Sequence, residues 1–198
     1  MDTVFYKICR VIIKFLFYVL YRPTVVGVEN IPKSGRVVLA GTHTKWLDSP
    51  MLISVNKRQV HFLAKCELFK GPLKYFMNAI GCIPVNRKIR DKDSLIKAKE
   101  VLNNDCMIGI YPEGTINRTD DLIMPFKIGA VKMAHDTNSV IVPFVITGKY
   151  KLFRKSVKIE FLKARSISSD LDNENNELMK DIRVKVFEYR EGISNEKR

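Results

Sequence analysis

Short apolar runs alternate along most of this chain with stretches in which apolar residues recur every three or four positions. The runs Val25–Val28, Arg36–Ala40, His61–Ala64, Cys82–Asn86, Met107–Tyr111, Val140–Ile146 and Val157–Phe161 have strand length and are rich in β-branched residues. Helical spacing marks Pro50–Val55, Pro72–Ala79, Lys92–Leu102, Ile128–Asp136 and Glu174–Tyr189. In the last of these, Leu178, Ile182, Val186 and Tyr189 form the apolar stripe, and the acid- and Asn-rich stretch from Ser169 to Glu177 reads as a loop running into it. Strands separated by helices of this length require crossover connections. The pattern therefore predicts a single α/β domain over residues 23–198, with a largely parallel central sheet flanked by helices.

Residues 1–22 break that pattern. From Val4 to Tyr21 the chain is bulky and apolar, interrupted by Lys7, Arg10 and Lys14. At 100° per residue these cations share an arc of about 60°, a single stripe. No small-residue cleavage site follows, which argues against a signal peptide. A spanning helix would place each cation near mid-bilayer at roughly 2.5–3.5 kcal/mol. A helix lying in the interface sends the cations to the phosphates and the aromatics into the acyl layer. The favoured reading is an N-terminal amphipathic membrane-interface helix; one covering the domain's own core is the alternative.

At 198 residues, 46% hydrophobic and 28% charged, the composition is that of an ordinary folded domain. The charge is less ordinary: 34 Lys and Arg against 21 Asp and Glu leave +13. Such an excess favours an anionic partner. No recognition-helix or aromatic–basic strand signature accompanies it, so nucleic acid is not the expected one. Cys9, Cys66, Cys82 and Cys106 form no C-x-x-C pair. No zinc site or disulfide framework is expected, and the last three read as small core residues.

Chemistry-bearing residues collect at the carboxyl ends of the predicted strands, where open α/β sheets place their sites. His43-Thr-Lys-Trp-Leu-Asp48 follows the Val37–Gly41 run, and Asp48-Ser-Pro50 reads as a helix N-cap with an early proline. Across such a turn Asp48 can fold back onto His43 Nδ1–H, leaving Nε2 as an outward-facing base. Taken alone, the segment also fits a polar loop with a capping aspartate. Asn86-Arg87-Lys88 closes the Gly81–Val85 run, and Pro112-Glu113-Gly114-Thr115 follows Met107–Tyr111.

These blocks, in this order, resemble the short bacterial 1-acylglycerol-3-phosphate O-acyltransferases. That family carries H-x-x-x-x-D, a G-x-I-x-V-x-R-like block, F-P-E-G-T-R-S and a V-P-V/I-rich block. Here they stand as His43–Asp48, Gly81-Cys-Ile-Pro-Val-Asn-Arg87, Tyr111-Pro-Glu-Gly-Thr115 and Ile141-Val-Pro-Phe-Val-Ile146. Ala64–Lys70 and Pro125–Ala130 are also similar. The resemblance implies acyl transfer from acyl-CoA or acyl-carrier protein to the sn-2 hydroxyl of a lysophospholipid, without metal or cofactor, at the cytoplasmic face of the membrane. It implies His43 as base, Asp48 as its orienter, and Arg87, Glu113, Gly114 and Thr115 as acceptor-binding residues. The tetrahedral oxyanion would take backbone N–H groups near Gly41–Thr44 or Gly114–Thr115. Two positions depart from the family. Thr42 stands where asparagine is usual, and Ile116 replaces the arginine after E-G-T. Arg118 could supply that charge if the segment is extended, because residues two apart then share a face. The Ile116 departure leaves open another lysolipid acceptor or a non-catalytic membrane lipid-binding protein. Lys127 reads as a solvated helix-start lysine, with added charge near the site as the alternative, and His61 and His135 read as structural.

Overall fold

The computed structural model describes residues 4–86, 89 and 91–196. Its elements, in chain order, are α1 (Val4–Leu20), β1 (Thr24–Val26), β2 (Val37–Gly41), α2 (Asp48–Val55), β3 (Val60–Lys65), α3 (Leu73–Ala79) and β4 (Ile83–Val85). They continue as α4 (Lys92–Asn103), β5 (Met107–Ile110), α5 (Gly129–Asp136), β6 (Val140–Gly148), β7 (Val157–Phe161) and α6 (Leu171–Glu196). Each predicted strand and helix is present, to within a few residues at its ends except for α6, which runs seven residues past the predicted Tyr189.

The strands form one sheet in the order β1-β7-β6-β2-β5-β3-β4. Strands β2 to β6 are mutually parallel, β7 runs antiparallel to β6, and β1 is parallel to β7. The β2 residues show why the sheet is covered on both sides, since all five are buried. Val37 and Leu39 pack with Met51 and Leu52 of α2 and with Tyr6 and Phe17 of α1. Val38 and Ala40, pointing the other way, meet Ala130 and Val131 of α5 and Leu178 and Ile182 of α6. The crossover β2–α2–β3 passes beyond β5, and β5–α5–β6 returns past β2 on the opposite face. The two connections leave neighbouring strands in opposite directions, which opens a crevice above the carboxyl ends of β2 and β5.

Three local readings change. Asp48 is the first residue of α2, not its cap, and Leu47 occupies the cap position. The Ser169–Glu177 stretch is already helical from Leu171, because Asp170 Oδ1 accepts the Asn173 N–H and Asp172 and Glu174 favour a helix start electrostatically. Arg10 leaves the cationic stripe: its guanidinium reaches inward and donates to the Asn56 carbonyl at the end of α2.

Helix α1 has two apolar faces. Tyr6 and Phe17 are buried in the core, and the Tyr6 hydroxyl accepts the Val60 N–H at 3.1 Å. The opposite face, including Ile8, Val11, Ile12, Phe15 and Val19, lies exposed, Phe15 at 66%. Among the described residues no helix is long and apolar enough to cross a membrane. The four cysteines are free and only half-buried, so Cys66, Cys82 and Cys106 sit at the margins of the packing and not in its centre.

Candidate active site

His43 and Asp48 sit above the crevice and face each other, with Nδ1 3.0 Å from Oδ2. The carboxylate is fully buried. Its Oδ2 also accepts the N–H groups of Thr44 and Lys45, and its Oδ1 accepts the Thr44 and Tyr150 hydroxyls at 3.2 and 2.7 Å. The position at the start of α2 explains this: the carboxylate turns back over the loop just before it and collects that loop's amides. An ionised carboxylate only accepts, so Nδ1 carries the proton and Nε2 holds the lone pair. Nε2 has no partner among the described residues.

The imidazole is fixed in plane as well as in direction. It stacks on the Tyr111 ring at 3.9 Å between centroids and 13° between planes. Tyr111 is itself held through its hydroxyl, 2.9 Å from Ser49 Oγ. Burial and the nearby Asp48 charge push the Tyr111 phenol well above its ordinary range. The same two causes raise Tyr150, so its hydroxyl stays protonated as the donor to Asp48.

Glu113 joins the ends of β2 and β5. One oxygen accepts the His43 N–H at 3.2 Å and the other the Met124 N–H at 2.9 Å. Desolvation raises this carboxyl despite those two amides. Each oxygen accepts a backbone amide of this chain, so the residue positions His43. The His43 carbonyl in turn accepts the Asn117 N–H at 2.9 Å.

The imidazole lines a cavity of about 370 Å³, bounded by Leu63, Val85, Leu95 and Met133 on its apolar side and by Tyr111, Gly114 and Lys127 on its polar side. Gly114 has φ of 74°, and a Cβ there would lie 2.8 Å from Lys127 Nζ. The ammonium thus rests over the glycine, and Lys127, although exposed, also lines the cavity. Thr115 is exposed, outside the residues that line this cavity. Arg118 is exposed and outside it too, because Ile116–Arg118 is an irregular loop and not a strand. Arg87 lies outside the described residues. The N–H groups of His43 and Thr44 are taken by Glu113 and Asp48, and that of Gly114 by the Tyr111 carbonyl, so none of these is free for an oxyanion. His61 is structural, its Nδ1 2.8 Å from the Gly81 carbonyl. Among the described residues there is no cluster of His, Cys, Asp and Glu able to hold a metal ion.

Tyr150, Tyr111 and Ser49 are the site residues that local spacing does not reveal. Tyr111 opens the Tyr111–Thr115 block, but nothing in that block says that its ring backs the histidine.

Comparison with known proteins places this arrangement. A family model described as acyltransferase matches residues 22–147. The chain is 30% identical over 155 residues to the 1-acyl-sn-glycerol-3-phosphate acyltransferase of Bacillus subtilis, an alignment covering 76% of each protein. It is 35% identical over 136 residues to the protein of that name from Borreliella burgdorferi, covering 67% of this chain and 54% of that one. In fold it is similar to the crystal structure of the 1-acyl-sn-glycerophosphate acyltransferase PlsC from Thermotoga maritima, with a TM-score of 0.71 at 22% identity over 94% of this chain and 78% of that one. With its H-x-x-x-x-D histidine and aspartate hydrogen-bonded at the mouth of a mostly parallel α/β sheet, this chain belongs to the acyltransferase family.

Proposed function

We propose that this chain transfers a fatty acyl group from an acyl thioester to the sn-2 hydroxyl of 1-acylglycerol 3-phosphate, giving phosphatidic acid. The observation that carries the reading is the imidazole itself: Nδ1–H is bound to a buried carboxylate, and unpartnered Nε2 sits on a ring that lines a half-apolar cavity. A thioester is already activated, whereas an alcohol is a poor nucleophile that needs a base at the moment of attack. Nε2 takes the hydroxyl proton as the oxygen attacks the thioester carbonyl. The tetrahedral intermediate collapses by breaking the C–S bond, and the imidazolium returns the proton to the departing thiolate. Asp48 holds the tautomer and stabilises the imidazolium, the role an aspartate plays in a serine-hydrolase triad.

For the acceptor phosphate the reading takes Lys127, at the cavity wall, together with Arg87, which directly follows Asn86 in the sequence. Leu63, Val85, Leu95 and Met133 offer an acyl chain an apolar wall. Either acyl-CoA or acyl-carrier protein serves as the thioester donor in this reading. The exposed apolar face of α1, with Trp46 72% exposed in the loop beside His43, supports docking onto a membrane surface as a peripheral protein, and the reading takes that surface to be the anionic cytoplasmic face.

The test is an acceptor panel with purified protein: lysophosphatidate, other lysophospholipids and glycerol 3-phosphate, each with both donors. Lysophosphatidate-dependent thiol release that falls by at least the ~10²–10⁴ of a general base in His43→Ala is the expected result. Ile116 in place of the family arginine, with Arg118 outside the cavity, favours a second reading in which the acceptor is a lysolipid of another head group. Preference for such an acceptor would select it, and near-normal turnover in His43→Ala would overturn both.

A further inference from the structure

The loop joining β6 to β7, residues 149–156, is closed at its base: the Lys149 N–H donates to the Ser156 carbonyl at 2.9 Å, and Ser156 Oγ returns a bond to the Lys149 carbonyl at 2.8 Å. It leaves the carboxyl end of β6, so it stands on the same edge of the sheet as His43. At its tip Leu152 and Phe153 are 58% and 60% exposed. Four cations, Lys149, Lys151, Arg154 and Lys155, flank that pair with no acid between them. All four are exposed, and none pairs with a carboxylate among the described residues.

Phe153 is also strained. Its φ is 58°, a left-handed conformation that a bulky side chain rarely adopts. The conformation is held by its N–H, which donates to the Leu20 carbonyl at the end of α1. Backbone of this kind persists only where the surroundings enforce it. Here the enforcement joins the loop to the C-terminal end of α1.

We infer that the 149–156 loop is a membrane-inserting finger: Leu152 and Phe153 enter the acyl layer of an anionic bilayer, and the surrounding cations engage lipid phosphates. This rests on the membrane reading of α1 above, and adds a second anchor beside the C-terminal end of that helix. Two apolar side chains inside a ring of cations suit an interface in which phosphates lie above hydrocarbon. An acidic protein surface would satisfy the cations and leave the two apolar side chains in water.

Two variants of the full chain test it, with equimolar phosphatidylglycerol and phosphatidylcholine vesicles as probe. In a Trp46→Phe, Leu152→Trp protein the introduced indole is the sole tryptophan. Its emission should shift to the blue on vesicle addition and be quenched by lipids brominated on their acyl chains. In a Leu152→Ser, Phe153→Asn protein, where asparagine tolerates the left-handed backbone, vesicle affinity should fall at least tenfold while turnover of a water-soluble short-chain acceptor is unchanged. Unshifted emission with vesicles that co-sediment the wild-type protein would overturn the finger, and so would undiminished binding by the double variant. A raised KM for acyl-carrier protein with vesicle binding unchanged would overturn it in favour of a protein-docking loop. Failure of the wild-type protein itself to bind vesicles, with Phe15→Ser no different, would remove the membrane reading of α1 as well.

Discussion

The Tyr150 hydroxyl donates to Asp48 Oδ1 at 2.7 Å from a loop 102 residues further along the chain. It lies beyond residue 147, where the family match ends. Tyr150 keeps the second carboxylate oxygen occupied while the first engages His43, so the aspartate cannot rotate away. Tyr150→Phe should lower kcat about tenfold with little change in KM, the magnitude expected when one hydrogen bond to a charged group is removed. Steady-state kinetics with saturating donor will show whether the loss falls on kcat. An equal loss on KM alone would mean that Tyr150 contacts substrate instead.

His43 and Asp48 should part company in stability. The imidazole lines a cavity, and its removal orphans few groups. Asp48→Ala leaves the part-buried amides of Thr44 and Lys45 and the Tyr150 hydroxyl without their acceptor, at up to about 1–3 kcal/mol for the groups that water does not reach. His43→Ala should therefore lose acyl transfer at nearly unchanged Tm, whereas Asp48→Ala loses activity and several degrees, at roughly 2–4 °C per kcal/mol for a chain of this size. Thermal unfolding of the two variants decides it.

Glu113 predicts a slope in pH. Burial raises its carboxyl above the ordinary value of 4.5 in the folded protein. The folded state then binds its proton more readily than the unfolded chain, so this group's contribution to stability falls as pH rises from that value through the raised one. Glu113→Gln should remove that slope. It should also lower activity, because an amide offers one acceptor where His43 and Met124 need two. Urea midpoints of both proteins across the acidic range are the measurement.

Gly114→Ala should raise KM for the acceptor more than for the donor. Its left-handed backbone costs an alanine about 1–2 kcal/mol, and the new methyl displaces the Lys127 ammonium. Unchanged acceptor KM would separate Lys127 from phosphate binding.

Two phenylalanines two residues apart on α1 should answer to different assays. Phe17 is buried against Tyr21 and Tyr150, and Phe17→Ala should cost about 3–5 kcal/mol of stability. Phe15 faces outward, and Phe15→Ser should leave unfolding unchanged while weakening vesicle binding in flotation.

The elements were legible because period two and period 3.6 are local properties of the chain. Val37–Gly41 reads as buried on both faces from its unbroken apolar run, and so it is. The His43–Asp48 hydrogen bond was legible for the same reason, its partners being five residues apart. What sequence spacing does not carry is the meeting of distant segments. Nothing around Tyr150 marks it as a partner of Asp48, and only the β2–β6 pairing brings them together. Lys127 looks like any lysine before a helix until Gly114 supplies the space beneath it. Arg10 fits its cationic stripe until the end of α2 offers a carbonyl. Extended spacing was an unsafe guide at Arg118, because no ladder keeps Ile116–Arg118 in strand conformation.

With Tyr111 laid flat against the imidazole, one side of the ring is closed and its tilt is set. The Nε2 lone pair lies in the ring plane, so an incoming alcohol must arrive edge-on along a single bearing. In the proposed reaction such a base would choose among the oxygens of a glycerol backbone by direction and not by acidity, which would make regioselectivity depend on an aromatic neighbour that never touches the reacting atoms.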